Sequence, residues 1–225
     1  MFRKLFCAAG LALLAQPALA DILVTTEEYP PFNMSDHGEI TGTATALVKT
    51  MFEKAGIPYH IQSLPWQRAY NMALADKDTC VYSTTVTEER QTLFEWVGPL
   101  VHNNWVLFAR ADRAPPANLE AAKGQVIGGY NGDAITLFLQ NQGYTVDVAP
   151  RDDVNPSKLL NGRLDYWATG SELGAFEARA QGITGIKPVL TFKEAVMALA
   201  CNKATDPVVL DKLRAALADI RRNTR

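Results

Sequence analysis

The chain has 225 residues, 48% of them hydrophobic and 20% charged, with 24 acidic side chains against 22 basic ones. That composition excludes a disordered tail or a collagen-like repeat and calls for a globular fold. A formal charge of −2 leaves no basic excess to hold a phosphate backbone, so nucleic acid is not an expected partner.

Residues 1–20 read as an export signal. Arg3 and Lys4 form the positive start, Leu5 to Leu14 the apolar run, Gln16 and Pro17 a break, and Ala18-Leu19-Ala20 a small-residue cleavage site. The run is too short and wrongly flanked to span a membrane. The mature chain is therefore expected to begin at Asp21 in the periplasm, and Cys7 to leave with the signal. Two cysteines remain, Cys80 and Cys201, an even count in a compartment where disulfides persist. We expect them to be bonded. Two separate buried thiols are the alternative, because sequence spacing alone does not bring two Cα atoms within bonding range.

Along the mature chain, short β-rich runs alternate with amphipathic helical stretches, the pattern of helices packed on mostly parallel sheets. ILVTT (22–26) reads as a buried strand. In ATALVKTMFEKAG (44–56), Leu47, Val48, Met51 and Phe52 share one helical face, and Gly56 is a stop. YHIQSL (59–64) reads as a strand, WQRAYNMALADK (66–77) as a helix, and TCVYSTT (79–85) as a strand, completing a βαβαβ unit. After Gly98-Pro99 and NWVLFA (104–109) a second unit of the same grammar follows. It comprises QVIGGY, the helix AITLFLQNQG, YTVDVA, the short helix PSKLLNG and LDYWAT. A polar helical stretch from about Glu172 to Gln181 precedes KPVLTF, MALACN and a last helix, with Asp206 as N-cap and Pro207 as its first residue. No low-complexity linker intervenes, so any crossing between two lobes must run through short strands.

Several groups could hold a ligand. Arg90 offers a planar, permanently charged donor fork suited to a carboxylate, with Thr85 nearby; a surface pairing with Glu88 or Glu89 is the alternative. Tyr29 and Phe32, on a proline-rich loop, and Trp66 could form rigid apolar walls, or simply core. Arg68 follows two residues after Trp66 and could point into a cleft. Asp133 precedes a helix, where it could meet a cation or serve as an N-cap. His37, His60 and His102 lack ligand spacing, so no metal is expected and no cofactor is implied. No Gly-x-Ser-x-Gly elbow or phosphate loop is present.

The motifs in this order resemble bacterial extracellular solute-binding proteins of family 3, the periplasmic two-lobe receptors best known for binding amino acids. EYPPFN resembles the aromatic-Pro-Phe loop, and GEITGTATALVKTMFEKAGI the turn and first helix. SLPWQRAYNMALADKDTCVYSTTVTEERQTLFEWVGPL resembles the family's longest signature, and GQVIGGYNGDA and NGRLDYWATG the second-lobe elements. The resemblance implies an α/β fold of the periplasmic binding protein type II, with lobe 1 at 21–100 plus 195–225, lobe 2 at 101–194, and two hinge strands between them. It also implies that Cys80 and Cys201 share a lobe and that Arg90 grips a ligand carboxylate. At two positions the chain departs from the family pattern: Asp133 stands where Thr or Ser is common, and Gly170 where an acid holds the ligand's ammonium. Glu172, two residues on, could replace that acid.

The function so implied is non-enzymatic: capture of a small polar, carboxylate-bearing solute, an amino acid or a relative, for uptake or sensing. The protein would act as a monomer that presents its closed form to an inner-membrane ABC permease or a sensor. The alternative is an enzyme, since the same fold resembles that of periplasmic cyclohexadienyl dehydratases; Glu172 or Asp133 would then have to supply the acid.

Overall fold

The computed structural model describes residues 21–223; the export-signal reading, with Cys7, lies outside the described residues. Strand β1 (Ile22–Thr26) leads into the Tyr-Pro-Pro-Phe loop and a small hairpin of β2 (Met34–Asp36) and β3 (Glu39–Thr41). Helix α1 (Thr43–Ala55), β4 (Tyr59–Ser63), α2 (Trp66–Ala75) and β5 (Thr79–Thr85) follow, with β1 parallel to both β4 and β5. A one-turn α3 (Glu88–Gln91) precedes β6 (Glu95–His102). The second sheet is built from β7 (Trp105–Arg110), β8 (Val126–Tyr130), α4 (Ala134–Asn141), β9 (Thr145–Ala149), α5 (Asn155–Leu160), β10 (Tyr166–Gly170), α6 (Ser171–Ala180) and β11 (Ile186–Lys193). Finally β12 (Val196–Cys201) re-enters the first sheet and α7 (Pro207–Asn223) covers it.

The sheet orders are β4-β1-β5-β12-β6 and β11-β7-β10-β8-β9, so the chain passes from one sheet to the other twice. The passages lie at Asn103-Asn104 and Glu194-Ala195, side by side, where the Asn103 N–H donates to the Ala195 carbonyl at 2.8 Å. Both are a few residues long, as the lack of a flexible linker requires.

Local chemistry accounts for the elements. In α1 the residues Val48, Met51 and Phe52 are fully buried, each worth about 1.5–3 kcal/mol of apolar burial. Gly56 ends the helix in the left-handed region at φ 63°, where a side chain is disfavoured. The Asp206 carboxylate accepts from the Val208 N–H at 2.8 Å and starts α7, which packs with α1 over one face of the first sheet. Pro99 sits in β6, an edge strand, where a missing N–H costs little. The hairpin β2–β3 and the single turn α3 are too short to leave a periodic pattern and were not expected from the sequence. Cys80 and Cys201 face one another across the antiparallel β5–β12 pair and are bonded, with Cα atoms 3.9 Å apart. The bond staples the early and late parts of the first sheet. Among the described residues, no helix is long and apolar enough to cross a membrane.

Candidate functional site

Ligands of open α/β sheets meet the carboxyl ends of parallel strands. Those ends face one another here. Glu27 follows β1, Ser63 and Leu64 close β4, Tyr130 ends β8, and Pro150 and Arg151 follow β9; all line one cleft of about 770 Å³ between the lobes. Tyr29 and Trp66 complete its first-lobe wall, Asp152 and Phe176 its second-lobe wall.

Three side-chain hydrogen bonds join the lobes across this region. The Trp66 Nε1–H donates to the Gly132 carbonyl at 2.9 Å, and Arg90 Nη2 donates to the same oxygen at 3.1 Å. The Tyr130 hydroxyl donates to Glu27 Oε1 at 2.9 Å. Tyr130 also packs with Trp66, Ala69 and Phe94 of the first lobe, so apolar burial continues across the interface. Gly132 has φ 73°, and a Cβ there would strike the Gln67 side chain; glycine lets its carbonyl meet both donors. On the far side of this bridge lies a second cavity of about 620 Å³, lined by Tyr70, Arg90, Trp105, Phe138 and Lys193 among others.

Arg90 is buried, not turned to solvent. Thr87 caps its helix, with Oγ1 accepting the Arg90 N–H at 3.3 Å. The guanidinium lies between the rings of Trp66 (5.4 Å) and Tyr70 (5.1 Å), and its Nη1 reaches toward the Thr85 carbonyl at 3.5 Å. It lines the smaller cavity and not the larger cleft. The expected carboxylate fork therefore works in this structure as an interlobe tie, and Thr85 contributes its backbone oxygen rather than its hydroxyl.

The cleft is instead acidic. Glu27 is desolvated against both lobes, which raises its pKa well above the ordinary value; Asp133 and Asp152 push it further, while Tyr130 and Arg90 oppose. Asp133 caps α4, Oδ2 accepting from the N–H groups of Ile135 (3.1 Å) and Thr136 (3.3 Å). Burial still lifts its pKa to about 6, against the pull of Arg90 and the helix N–H groups. Asp152 accepts from Asn155 Nδ2 and Trp167 Nε1, both at 2.8 Å, and from Thr169 Oγ1 at 2.7 Å. Burial outweighs those donors and raises its pKa to about 7. Glu28, at the rim, goes the other way: burial alone would raise it, but bonds from Ser35 and Ser63 hold it low. Tyr29 and Tyr130 are both pushed up, first by burial and then by the neighbouring carboxylates.

Of the candidates named from sequence, Tyr29 and Trp66 line the cleft. Asp133 is buried as the N-cap of α4, the second of the two roles its position allowed. Phe32 belongs to the first-lobe core, its ring stacked on Tyr29 at 6.2 Å, and so props the wall without forming it. Arg68 is exposed, because Trp66, Ala69 and Ala73 define the buried stripe of α2 and Arg68 falls on its outer face. Glu172 is exposed too: Leu173 and Phe176 turn toward the cleft, and the residue before Leu173 points away. It does not stand in for the acid absent at Gly170, where a Cβ would collide with Asn103 Oδ1 and the Tyr29 hydroxyl. Sequence reasoning missed Glu27, Asp152 and Tyr130. Glu27 carried a usable signal, an acid placed directly after the first parallel strand; Asp152 carried none, since only the fold brings it beside Trp167 and Thr169. Among the described residues, no three His, Cys, Asp or Glu side chains are grouped to hold a metal ion.

Comparison with known proteins bears on this arrangement. The family described as bacterial extracellular solute-binding proteins, family 3, matches residues 22–225. No curated protein matches significantly. Among solved structures, a histidine kinase sensor domain with similarity to periplasmic binding proteins superposes with a TM-score of 0.86 at 20% identity, covering 93% of each chain. An ancestral arginine-binding protein bound to arginine gives 0.80 at 20% identity, covering 92% of this chain and 95% of that one. The arginine-, lysine-, histidine-binding protein ArtJ of Geobacillus stearothermophilus gives 0.80 at 17% identity, covering 91% and 90%. At these identities the likeness establishes the two-lobe fold.

Proposed function

The chain belongs to the bacterial extracellular solute-binding proteins of family 3, and from that premise we propose that it is a periplasmic receptor, not an enzyme, which captures a small polar solute between its lobes. The solute is an amino acid or a related compound. The observation that carries this reading is the 770 Å³ cleft whose walls come from both lobes, which are tied together by Trp66, Arg90 and Tyr130. A guest there adds second-lobe contacts only when the lobes close, so it selects the closed form by its differential affinity for that state. The arginine ligand of the ancestral binding protein is consistent with a guest carrying nitrogen cations.

Export by residues 1–20 and presentation of the closed form to an inner-membrane permease complete the reading. A sensory role is the second reading, favoured by the sensor-domain likeness over 93% of both chains. Isothermal calorimetry and thermal shift against the proteinogenic amino acids and simple amines test capture, because a ligand specific for the native state raises Tm by mass action. Recovery of the ligand unchanged by mass spectrometry supports a receptor; conversion to product overturns it. Co-purification with a permease rather than a signalling kinase separates the two roles.

A further inference from the structure

We propose that the guest of the interlobe cleft is an aliphatic di- or oligoamine, recognised through its ammonium groups without any clamp for a carboxylate. The inference rests on the receptor reading and names the solute class of that same site.

The charge lining the cleft is one-sided. Glu27, Glu28, Asp152, Asp153 and Glu177 line it, against the single base Arg151 among the described residues, and Arg151 is itself paired with Asp153. The other cation of the interface, Arg90, is on the far side of the Trp66–Gly132 bridge. There it is sandwiched by two aromatic rings and donates to backbone carbonyls. A carboxylate entering the larger cleft would be desolvated among acidic side chains with no fork to receive it. An ammonium would meet the opposite: Glu27 from the first lobe, and Asp153 and Glu177 from the second, all three partly exposed.

The aromatic faces of Tyr29, Trp66 and Tyr130 suit methylene groups and cations alike.

The decisive pair of probes is 1,5-diaminopentane and lysine, which differ only by the α-carboxylate, titrated into the purified mature protein beside 1,4-diaminobutane, spermidine and the amino-acid panel. The expected result is that a diamine or spermidine binds at least tenfold more tightly than lysine. Glu27→Gln is expected to cost that ligand tenfold or more in a protein that still melts in one cooperative transition. Lysine binding as tightly as, or more tightly than, 1,5-diaminopentane would overturn the inference while leaving the receptor reading standing, as would another amino acid binding where no amine does. Binding of neither amines nor amino acids would overturn both. An amine affinity indifferent to Glu27→Gln in a folded protein would also defeat the proposal.

Discussion

Replacing Tyr130 with phenylalanine isolates one interlobe tie. The ring stays in the cluster with Trp66, Ala69 and Phe94, so the apolar part of the interface is kept. What is lost is the hydroxyl that donates to Glu27 Oε1 at 2.9 Å. A protein hydrogen bond is worth about 0.5–1.5 kcal/mol net, and leaving a buried partner unsatisfied adds to the loss. Glu27, however, is partly exposed to the cleft, so its oxygen regains water and that added penalty is small. We therefore expect the closed form to be weakened by about 1–1.5 kcal/mol, roughly a 5- to 12-fold shift toward open in the unliganded protein. Loss of that donor also removes an influence that holds Glu27 down, so its pKa should rise further. The assay is the distance between fluorophores placed one on each lobe, read by single-molecule energy transfer, with ligand affinity measured in parallel. An unchanged closed fraction and affinity within twofold of wild type, in a variant with wild-type Tm, would refute the claim that this bond ties the lobes.

Three further expectations follow from the same geometry. The Cys80–Cys201 bond closes a separation of 121 positions, for which the chain-entropy relation gives about 4–5 kcal/mol, so the Cys80→Ser/Cys201→Ser double variant should lose about 10–20 °C in Tm; a loss below about 2 °C by calorimetry would contradict a stapling role. Asp133 and Asp152 have folded pKa values of about 6 and about 7 against an ordinary 3.8, so the folded state holds protons that the unfolded state releases. Stability should thus fall as pH rises from about 4 to about 7, whereas Glu28 and Asp165, held low, withdraw their contributions only in more acidic solution. Melting curves from pH 4 to 8 check this, with Asp152→Asn flattening the upper slope, and a Tm that climbs steadily from pH 5 to 8 would count against it. Arg68→Ala and Glu172→Gln, both exposed and outside the cleft, should leave ligand affinity within twofold by calorimetry; a tenfold loss in either would move the site.

Much of the architecture was legible because it depends on local periodicity and punctuation. The alternation in 22–85 follows from which residues can share a buried face, and the stops at Gly56 and the start at Asp206-Pro207 follow from backbone chemistry within a few residues. Tyr29 and Trp66 were legible as walls because large aromatics on a stiff loop or helix start must be buried somewhere. Arg90 was legible as an important cation, but not its role: whether a guanidinium meets a ligand or a carbonyl depends on Gly132, forty-two positions away, arriving with φ 73° on the opposing lobe. For Glu172 and Arg68 the sequence left two readings open for a simpler reason: a helix turns 100° per residue, and which of its faces meets the cleft is set by the lobe it packs on.

The amino-acid order by itself determined the class of fold and the succession of its main strands and helices, which follow from short-range preferences and from the rule that apolar faces must be covered. It offered Cys80 and Cys201 as partners, but only the tertiary structure brought them together across β5 and β12. Only the tertiary structure decided the charge of the cleft. Glu27, Asp133 and Asp152 are distant in the chain and unremarkable singly, and they influence one another only because two sheets bring their strand ends together, where burial removes the water that would otherwise screen them.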